Sequence, residues 1–264
     1  MKELKCAIHA AISAGNMIKS RVGKKQIIRY KGAINIVTDT DIKAEKLIIK
    51  ILKKEFPQYS FLAEESQCRD ILADRWIIDP LDGTTNFAHG FPFFCVSIAL
   101  EKSQEIKLGV VYDPMRQELF TAIKGKGAYL NKKKIRVSKV NKLSRSFLAT
   151  GFSYDFKNKK DNNIDNFSKF LMASMAVRRA GSAALDLCYV ACGRFDGFWE
   201  MDLNPWDTAA ASLIIQEAGG KISQFDGSLF SNYKKNMLSS NALIHGQMVK
   251  ILKEGKVKSK KIKR

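Results

Sequence analysis

The stretch Trp76-Ile77-Ile78-Asp79-Pro80-Leu81-Asp82-Gly83-Thr84-Thr85-Asn86-Phe87 decides how the rest of the chain is read. Its apolar opening, Trp76 to Ile78, has the composition of a buried strand, and that strand is expected to stop at Asp79. Pro80 fixes its own φ and donates no hydrogen bond, so the chain should turn there. The turn can aim the Asp79 and Asp82 carboxylates and the Leu81 carbonyl at one point. Such an oxygen set suits a hard cation such as Mg2+. Gly83 permits close approach by a ligand. Thr84 and Thr85 look like the start of a helix, whose free N–H groups attract a phosphate. A cation seat beside an anion seat is one reading. A strand followed by an ordinary Asp/Pro/Gly turn fits the same residues.

Working upstream, apolar positions from Leu4 to Ile18 recur at helical spacing, and Lys25 to Tyr30 reads as a short strand. Asn35 to Asp41 leads into a second amphipathic helix, for which Asp39, Thr40 and Asp41 are ordinary first-turn residues. Ser60 to Ser66 is a strand ending in Glu64 and Glu65. Adjacent carboxylates repel, so this tip is either an exposed turn or a cation contact. A short loop back to Trp76 could set the two acidic strand ends side by side.

Downstream, Phe94–Leu100, Ile106–Tyr112 and Glu118–Ile123 alternate like antiparallel strands. Gly125-Lys126-Gly127 is a turn and lacks the spacing of a P-loop or dinucleotide fingerprint. Leu143–Gly151 reads as a further strand, Lys157–Asn163 as a polar loop between two lobes, and Phe167–Met175 as a helix. Gly181, Ser182 and Ala183 precede an apolar helix, Leu185 to Cys192. Glu200 lies in a strand between Trp199 and Met201, where a carboxylate needs a partner such as a sugar hydroxyl. Asn204 and Pro205 start a helix ending at Gly219-Gly220, with Asp207 in its first turn.

Asp79-Pro80-Leu81-Asp82-Gly83-Thr84-Thr85-Asn86-Phe87 resembles the first signature of the inositol monophosphatase family, Mg2+-dependent and lithium-sensitive sugar phosphatases. Pro205-Trp206-Asp207-Thr208-Ala209-Ala210 with Glu217-Ala218-Gly219-Gly220 resembles its second, and the likeness runs from about residue 4 to about 250. It implies an α/β fold in αβαβα layers, used as a homodimer. The phosphatase domain would cover residues 1–250 in two lobes meeting near 150–165, followed by a basic tail, 251–264.

The resemblance also assigns roles. Glu64, Asp79 and the Leu81 carbonyl would hold one Mg2+, and Asp79, Asp82 and Asp207 a second. A third, weaker ion would sit near Glu64, although Asn35 stands where the family often has Asp. Asp41, Glu64 and Thr84 would be catalytic, with Thr84 oriented by Asp41 to position the attacking water. Asp82, Gly83, Thr84, Gly181, Ser182, Ala183, Glu200 and Asp207 would contact substrate. Phe198-Trp199-Glu200-Met201 ahead of Asn204-Pro205-Trp206-Asp207 looks more like inositol monophosphatases than their bisphosphatase cousins. The implied activity is hydrolysis of inositol-1-phosphate. Fructose-1,6-bisphosphate, 3′-phosphoadenosine 5′-phosphate and histidinol phosphate are alternative substrates.

Composition bounds the rest. At 264 residues and 45% hydrophobic content, the chain can bury a large core. No apolar run has the length of a membrane span, and the N-terminus lacks the pattern of a secretory signal. Five cysteines without a CxxC pair fit reduced thiols in a cytoplasm. Three scattered histidines argue against a His/Cys zinc site. The formal charge is +19, concentrated in Lys132–Arg145 and in Lys250–Arg264. Weak, non-specific polyanion binding through the tail is a possible consequence, and a transcription- or RNA-associated factor on a phosphatase scaffold is the rival reading.

Overall fold

The computed structural model describes residues 1–32, 34–66 and 74–254. Helix α1 (Lys2–Lys19) is followed by a two-stranded hairpin, β1 (Ile28–Tyr30) and β2 (Ile36–Thr38), and by α2 (Asp39–Glu55). Strand β3 (Ser60–Ala63) precedes the central motif, β4 (Asp74–Asp82) carries its first half, and α3 (Thr84–Ala88) completes it. Then come β5 (Cys95–Lys102), β6 (Glu105–Asp113), β7 (Glu118–Ile123), β8 (Gly127–Leu130) and β9 (Lys133–Lys134). The remainder is β10 (Phe147–Thr150), α4 (Ile164–Ala173), β11 (Ala176–Arg178), α5 (Ala183–Ala191), β12 (Gly197–Glu200), α6 (Pro205–Glu217), β13 (Lys221–Ser223), β14 (Met237–Ser240) and α7 (His245–Lys253).

Strands β3 to β9 form one seven-stranded sheet in sequence order, and the second sheet runs β11-β10-β12-β14-β13. The chain passes from one sheet to the other between Lys134 and Phe147, ahead of residues 150–165. The period-two pattern of the strands divides side chains between two cores. Trp76, Ile78, Val96, Ile98, Leu100, Leu108 and Val110 face α1 and α2, whereas Ile77, Ala99 and Val111 face α5 and α6. Helices α5 and α6 are buried on both sides between the sheets, which explains why they are apolar around most of their circumference. Gly109 lets α6 settle on the sheet, because a Cβ there would lie 2.4 Å from the Ala210 carbonyl oxygen. Phe170, Trp199, Leu238 and Met248 form the last core, beneath α4 and α7. The order is α, β, α, β, α, as the motifs implied.

Several local expectations need correction. The central strand does not stop at Asp79. It continues to Asp82 through a register shift, since Pro80 cannot donate to the ladder but Asp82 again pairs with Cys95. The expected strand from Leu143 is half 3-10 turn, Leu143–Arg145, and only Phe147–Thr150 is extended. The first short strand begins at Ile28 rather than Lys25. Cys6, Cys95, Cys188 and Cys192 are free thiols, while Cys68 lies outside the described residues. Lys250 and Lys253 belong to α7, and the tail beyond Glu254 also lies outside the described residues. No described helix is long and apolar enough to cross a membrane.

Candidate active site

Strand β3 runs parallel to β4, with Ala63 opposite Ile78, so both acidic ends emerge at the same edge. The Glu64 N–H extends the pairing by donating to the Ile78 carbonyl at 3.2 Å. Around this edge gather the starts of α2, α3, α5 and α6 and the end of β12. Helix N-termini carry partial positive charge, which offsets the crowding of carboxylates there.

The predicted residues come together. Asp41 is buried at 1% exposure and divides its two oxygens. Oδ2 accepts from the Thr38 N–H at 2.9 Å, capping α2, while Oδ1 accepts from the Thr84 hydroxyl at 2.8 Å. Thr84 Oγ1 also lies 3.0 Å from the Leu81 carbonyl. Asp207 does the same for α6, accepting from the Asn204 N–H at 2.6 Å through Oδ2. Helix capping and a place in the site are therefore not alternatives for either aspartate. Asp79 accepts from the Leu81 N–H at 3.0 Å, which bends the motif back on itself. Asp82 Oδ2 accepts from Ser182 Oγ and from the Ala184 N–H, both at 2.7 Å, tying the central motif to the start of α5.

Gly83 takes φ +98°, and a Cβ on it would lie 2.9 Å from the Phe93 carbonyl. Only glycine fits this left-handed corner. Gly181 is also left-handed, at φ +92°. The turn holding it is fixed by Asn86, whose Nδ2 donates to the Ala180 carbonyl at 2.8 Å and the Phe93 carbonyl at 2.7 Å. Ser182 caps α5 through the Leu185 N–H, and Ala183 is its first helical residue. Glu200 ends β12 with its carboxylate against Gly151.

The electrostatics are those of crowded, desolvated acids. Burial raises Asp79 well above the usual carboxylate range, and the charges of Glu64, Asp82 and Asp207 add to it. Burial and then Glu64 do the same to Asp207. Asp82 is pushed up by burial to about 6, with the Ser182 and Ala184 donors pulling it back. Burial also raises Asp41, against the hydrogen bonds from Thr38 and Thr84. Glu200 is raised well above its ordinary range by burial and then by Asp207 and Asp82.

Such a set of oxygens fits a hard divalent cation, whose charge would offset the mutual repulsion. Among the described residues, however, no three His, Cys, Asp or Glu side chains already converge as a closed ligand set. Lys31 reaches this acidic edge, its Nζ lying 3.0 Å from Glu64 and 2.8 Å from Glu65. Burial disfavours the Lys31 charge, but the two glutamates outweigh it and hold the ammonium protonated.

Four participants escaped the sequence reading. Lys31 sits in the β1–β2 loop, and Glu45 on α2 accepts from the Glu65 N–H at 2.8 Å. Asn86 was visible in the motif, but its clamp on residues 180–181 spans the fold. Burial, with the charges of Asp82, Glu64 and Asp79, pushes the pKa of the Tyr154 hydroxyl up to about 12.

The sequence profile of the inositol monophosphatase family matches residues 2–256. Over 252 residues the chain is 45% identical to the inositol-1-monophosphatase of Synechocystis, covering 94% of this chain and 88% of that one. It is 44% identical over 231 residues to the Nus factor SuhB of Escherichia coli, covering 85% of each. The solved inositol monophosphatase of Anabaena superposes with a TM-score of 0.87 at 40% identity, over 94% of both chains. That of Thermotoga maritima gives 0.88 at 36% identity, over 96% of this chain and 97% of that one.

Proposed function

This chain belongs to the inositol monophosphatase family, phosphoric monoester hydrolases, and we propose that it releases phosphate from a small phosphorylated polyol, inositol-1-phosphate foremost. The observation that carries the reading is the Asp41–Thr84–Leu81 array beside the buried Asp79 and the half-buried Asp82. It provides a hydroxyl held by a buried carboxylate at the edge of an all-oxygen donor set.

Glu64, Asp79 and the Leu81 carbonyl would hold one Mg2+, and Asp79, Asp82 and Asp207 a second. A third would bind more weakly near Glu64, where Asn35 contributes no charge. When bound, such ions acidify the attacking water and offset negative charge on the transferring phosphoryl group and the leaving oxygen. Thr84 Oγ1 uses its proton on Asp41 and Leu81, so its lone pairs face outward to accept from water and orient it. Asp41 Oδ1 stands behind Thr84 as the final proton acceptor, a task suited to a carboxylate whose pKa burial has raised. The Gly83 and Thr84 N–H groups would bind phosphate oxygens. Glu200 and residues Gly181, Ser182 and Ala183 would receive the polyol hydroxyls.

A cytoplasmic homodimer completes this reading. Free thiols support the compartment, and the exposed Phe91, Met172 and Met175 offer apolar surface for a second copy. The test is phosphate release from inositol-1-phosphate, fructose-1,6-bisphosphate, 3′-phosphoadenosine 5′-phosphate and histidinol phosphate. Hydrolysis should require Mg2+, fall with Ca2+ or Li+, and be fastest on inositol-1-phosphate. Full activity in EDTA would overturn the metal assignment.

A second reading draws on the relatives named Nus factor SuhB. Lys132, Lys133, Lys134, Arg136, Lys139, Lys142 and Arg145 form no ion pair among the described residues. Non-specific polyanion binding there would weaken steeply with salt. Salt-resistant, sequence-selective RNA binding, or rescue of a cell phenotype by Asp82→Asn protein, would favour a role in transcription.

A further inference from the structure

The connection from β13 to β14, residues 224–236, lies outside both sequence motifs, yet its second half is tied to the start of α6. The Leu203 N–H donates to the Lys235 carbonyl at 2.9 Å. Thr208, 2% exposed, donates its hydroxyl to Asn232 Oδ1 at 3.0 Å. Between these two bonds, Lys235 Nζ donates to Asn204 Oδ1 at 2.7 Å. The connection is also held from its other side. The Tyr233 hydroxyl lies 2.7 Å from both oxygens of the buried Glu101 carboxylate and accepts from Arg75 Nη2 at 2.6 Å. The backbone from which Lys235 reaches out is therefore fixed.

Asn204 is the N-cap of α6, and its N–H donates to Asp207 Oδ2 at 2.6 Å. One residue thus receives Lys235 on its side chain and orients Asp207 through its backbone. Thr208, the residue after Asp207, is the one that binds Asn232. The first turn of α6 is braced on both sides of Asp207 by a single connection. Helix capping alone needs no such brace, because an asparagine N-cap acts on its own helix without help from another segment. What Lys235 adds is a fixed attitude for residue 204, and through it for the Asp207 carboxylate.

We propose that Lys235 is a positioning residue for the second cation seat: by holding Asn204 it keeps the Asp207 carboxylate in the orientation that receives the metal. The proposal rests on the metal assignment above and extends it to a residue outside both motifs. It has a definite sign. Without the clamp Asp207 gains freedom, cation binding must also order it, and affinity falls. A lysine acting by charge alone does the opposite, since an ammonium repels a nearby cation and its removal would tighten binding.

The test is isothermal titration of the full chain with Mg2+, with thermal melts to verify folding and Asp207→Asn to identify the binding step of the second seat. Lys235→Met should weaken that step by about fivefold, the scale of one hydrogen bond, and Lys235→Arg should bind like wild type. The Mg2+ concentration giving half-maximal phosphate release should rise by the same factor, with a smaller change in kcat at saturating Mg2+. Asn204→Ala removes the acceptor, so it should match Lys235→Met, and the double variant should be no weaker than the worse single one. Unchanged or tighter binding in Lys235→Met, an Arg variant as weak as Met, or losses that multiply in the double variant would overturn the clamp and leave the metal assignment standing. If the wild-type chain binds no Mg2+, the assignment falls and the clamp falls with it.

Discussion

Thr84 donates its hydroxyl proton to Asp41 at 2.8 Å, across 43 residues of sequence and from one helix start to another. Asp41 meanwhile caps its own helix with the opposite oxygen. A carboxylate used in this divided way couples the geometry of the site to the seating of α2 on the sheet.

The pair should behave as one unit. Thr84→Ala and Asp41→Asn should each lower kcat by about a hundredfold or more. The double variant should be little worse than the worse single one, because either change alone already breaks the relay. Thr84→Ser should keep most of the rate. Losses that multiply in the double variant would give the two residues independent roles and leave Asp41 as a cap.

Asp82→Asn and Asp207→Asn test the second proposed metal seat. In each aspartate, Oδ2 accepts the structural hydrogen bonds, and an amide oxygen can replace it. Stability should therefore fall by no more than about 1 kcal/mol. Phosphate release should drop by orders of magnitude, and isothermal titration should show weaker Mg2+ binding. If Asp207 served α6 alone, its Asn variant would keep the wild-type rate.

The aspartates proposed to hold metal and Thr84 were legible because they share two compact motifs, each on a strand end or helix start with its own local chemistry. The αβαβα order was legible through the same motifs, and the strand alternation agrees with it. Lys31 and Glu45 were not, since their partners Glu64 and Glu65 are set by how the hairpin and α2 fold over the sheet. The end of β4 was misread for a related reason. Pro80 removes one ladder donor, but pairing of Asp82 with Cys95 resumes beyond it, and only the neighbouring strand reveals that.

Acid should weaken the fold through His245. Its Nε2 lies 2.9 Å from Ser223 Oγ and its Nδ1 2.9 Å from Ser240 Oγ. Burial, aided by the charge of Lys221, lowers its pKa from 6.5 to about 4. The unfolded chain thus binds the proton first as pH falls. This contribution is complete above pH 6.5, declines as pH drops through that value, and levels off below about 4. The loss over the window is on the order of 2 kcal/mol. Differential scanning calorimetry should find that Tm falls more from about pH 7 to about pH 5 in wild type than in His245→Gln. Parallel curves would contradict a neutral buried imidazole.

Gly151→Ala probes the substrate end without touching a proposed metal ligand. A Cβ at this position would lie 2.1 Å from a Glu200 carboxylate oxygen, a contact no packed structure sustains. The backbone is anchored by Asn163 through the Gly151 carbonyl, so the flexible carboxylate must move instead. If Glu200 receives a substrate hydroxyl, its displacement should raise KM for inositol-1-phosphate by about tenfold, the scale of one hydrogen bond to a charged group. Inhibition by free inorganic phosphate should be unchanged, because the three atoms nearest the new methyl all belong to Glu200 and none to Gly83 or Thr84. Glu200→Gln should show the same split between substrate and phosphate. An unaltered KM in both variants would remove Glu200 from the substrate contacts, and a matching rise in the phosphate inhibition constant would mean that the methyl disturbs the whole site.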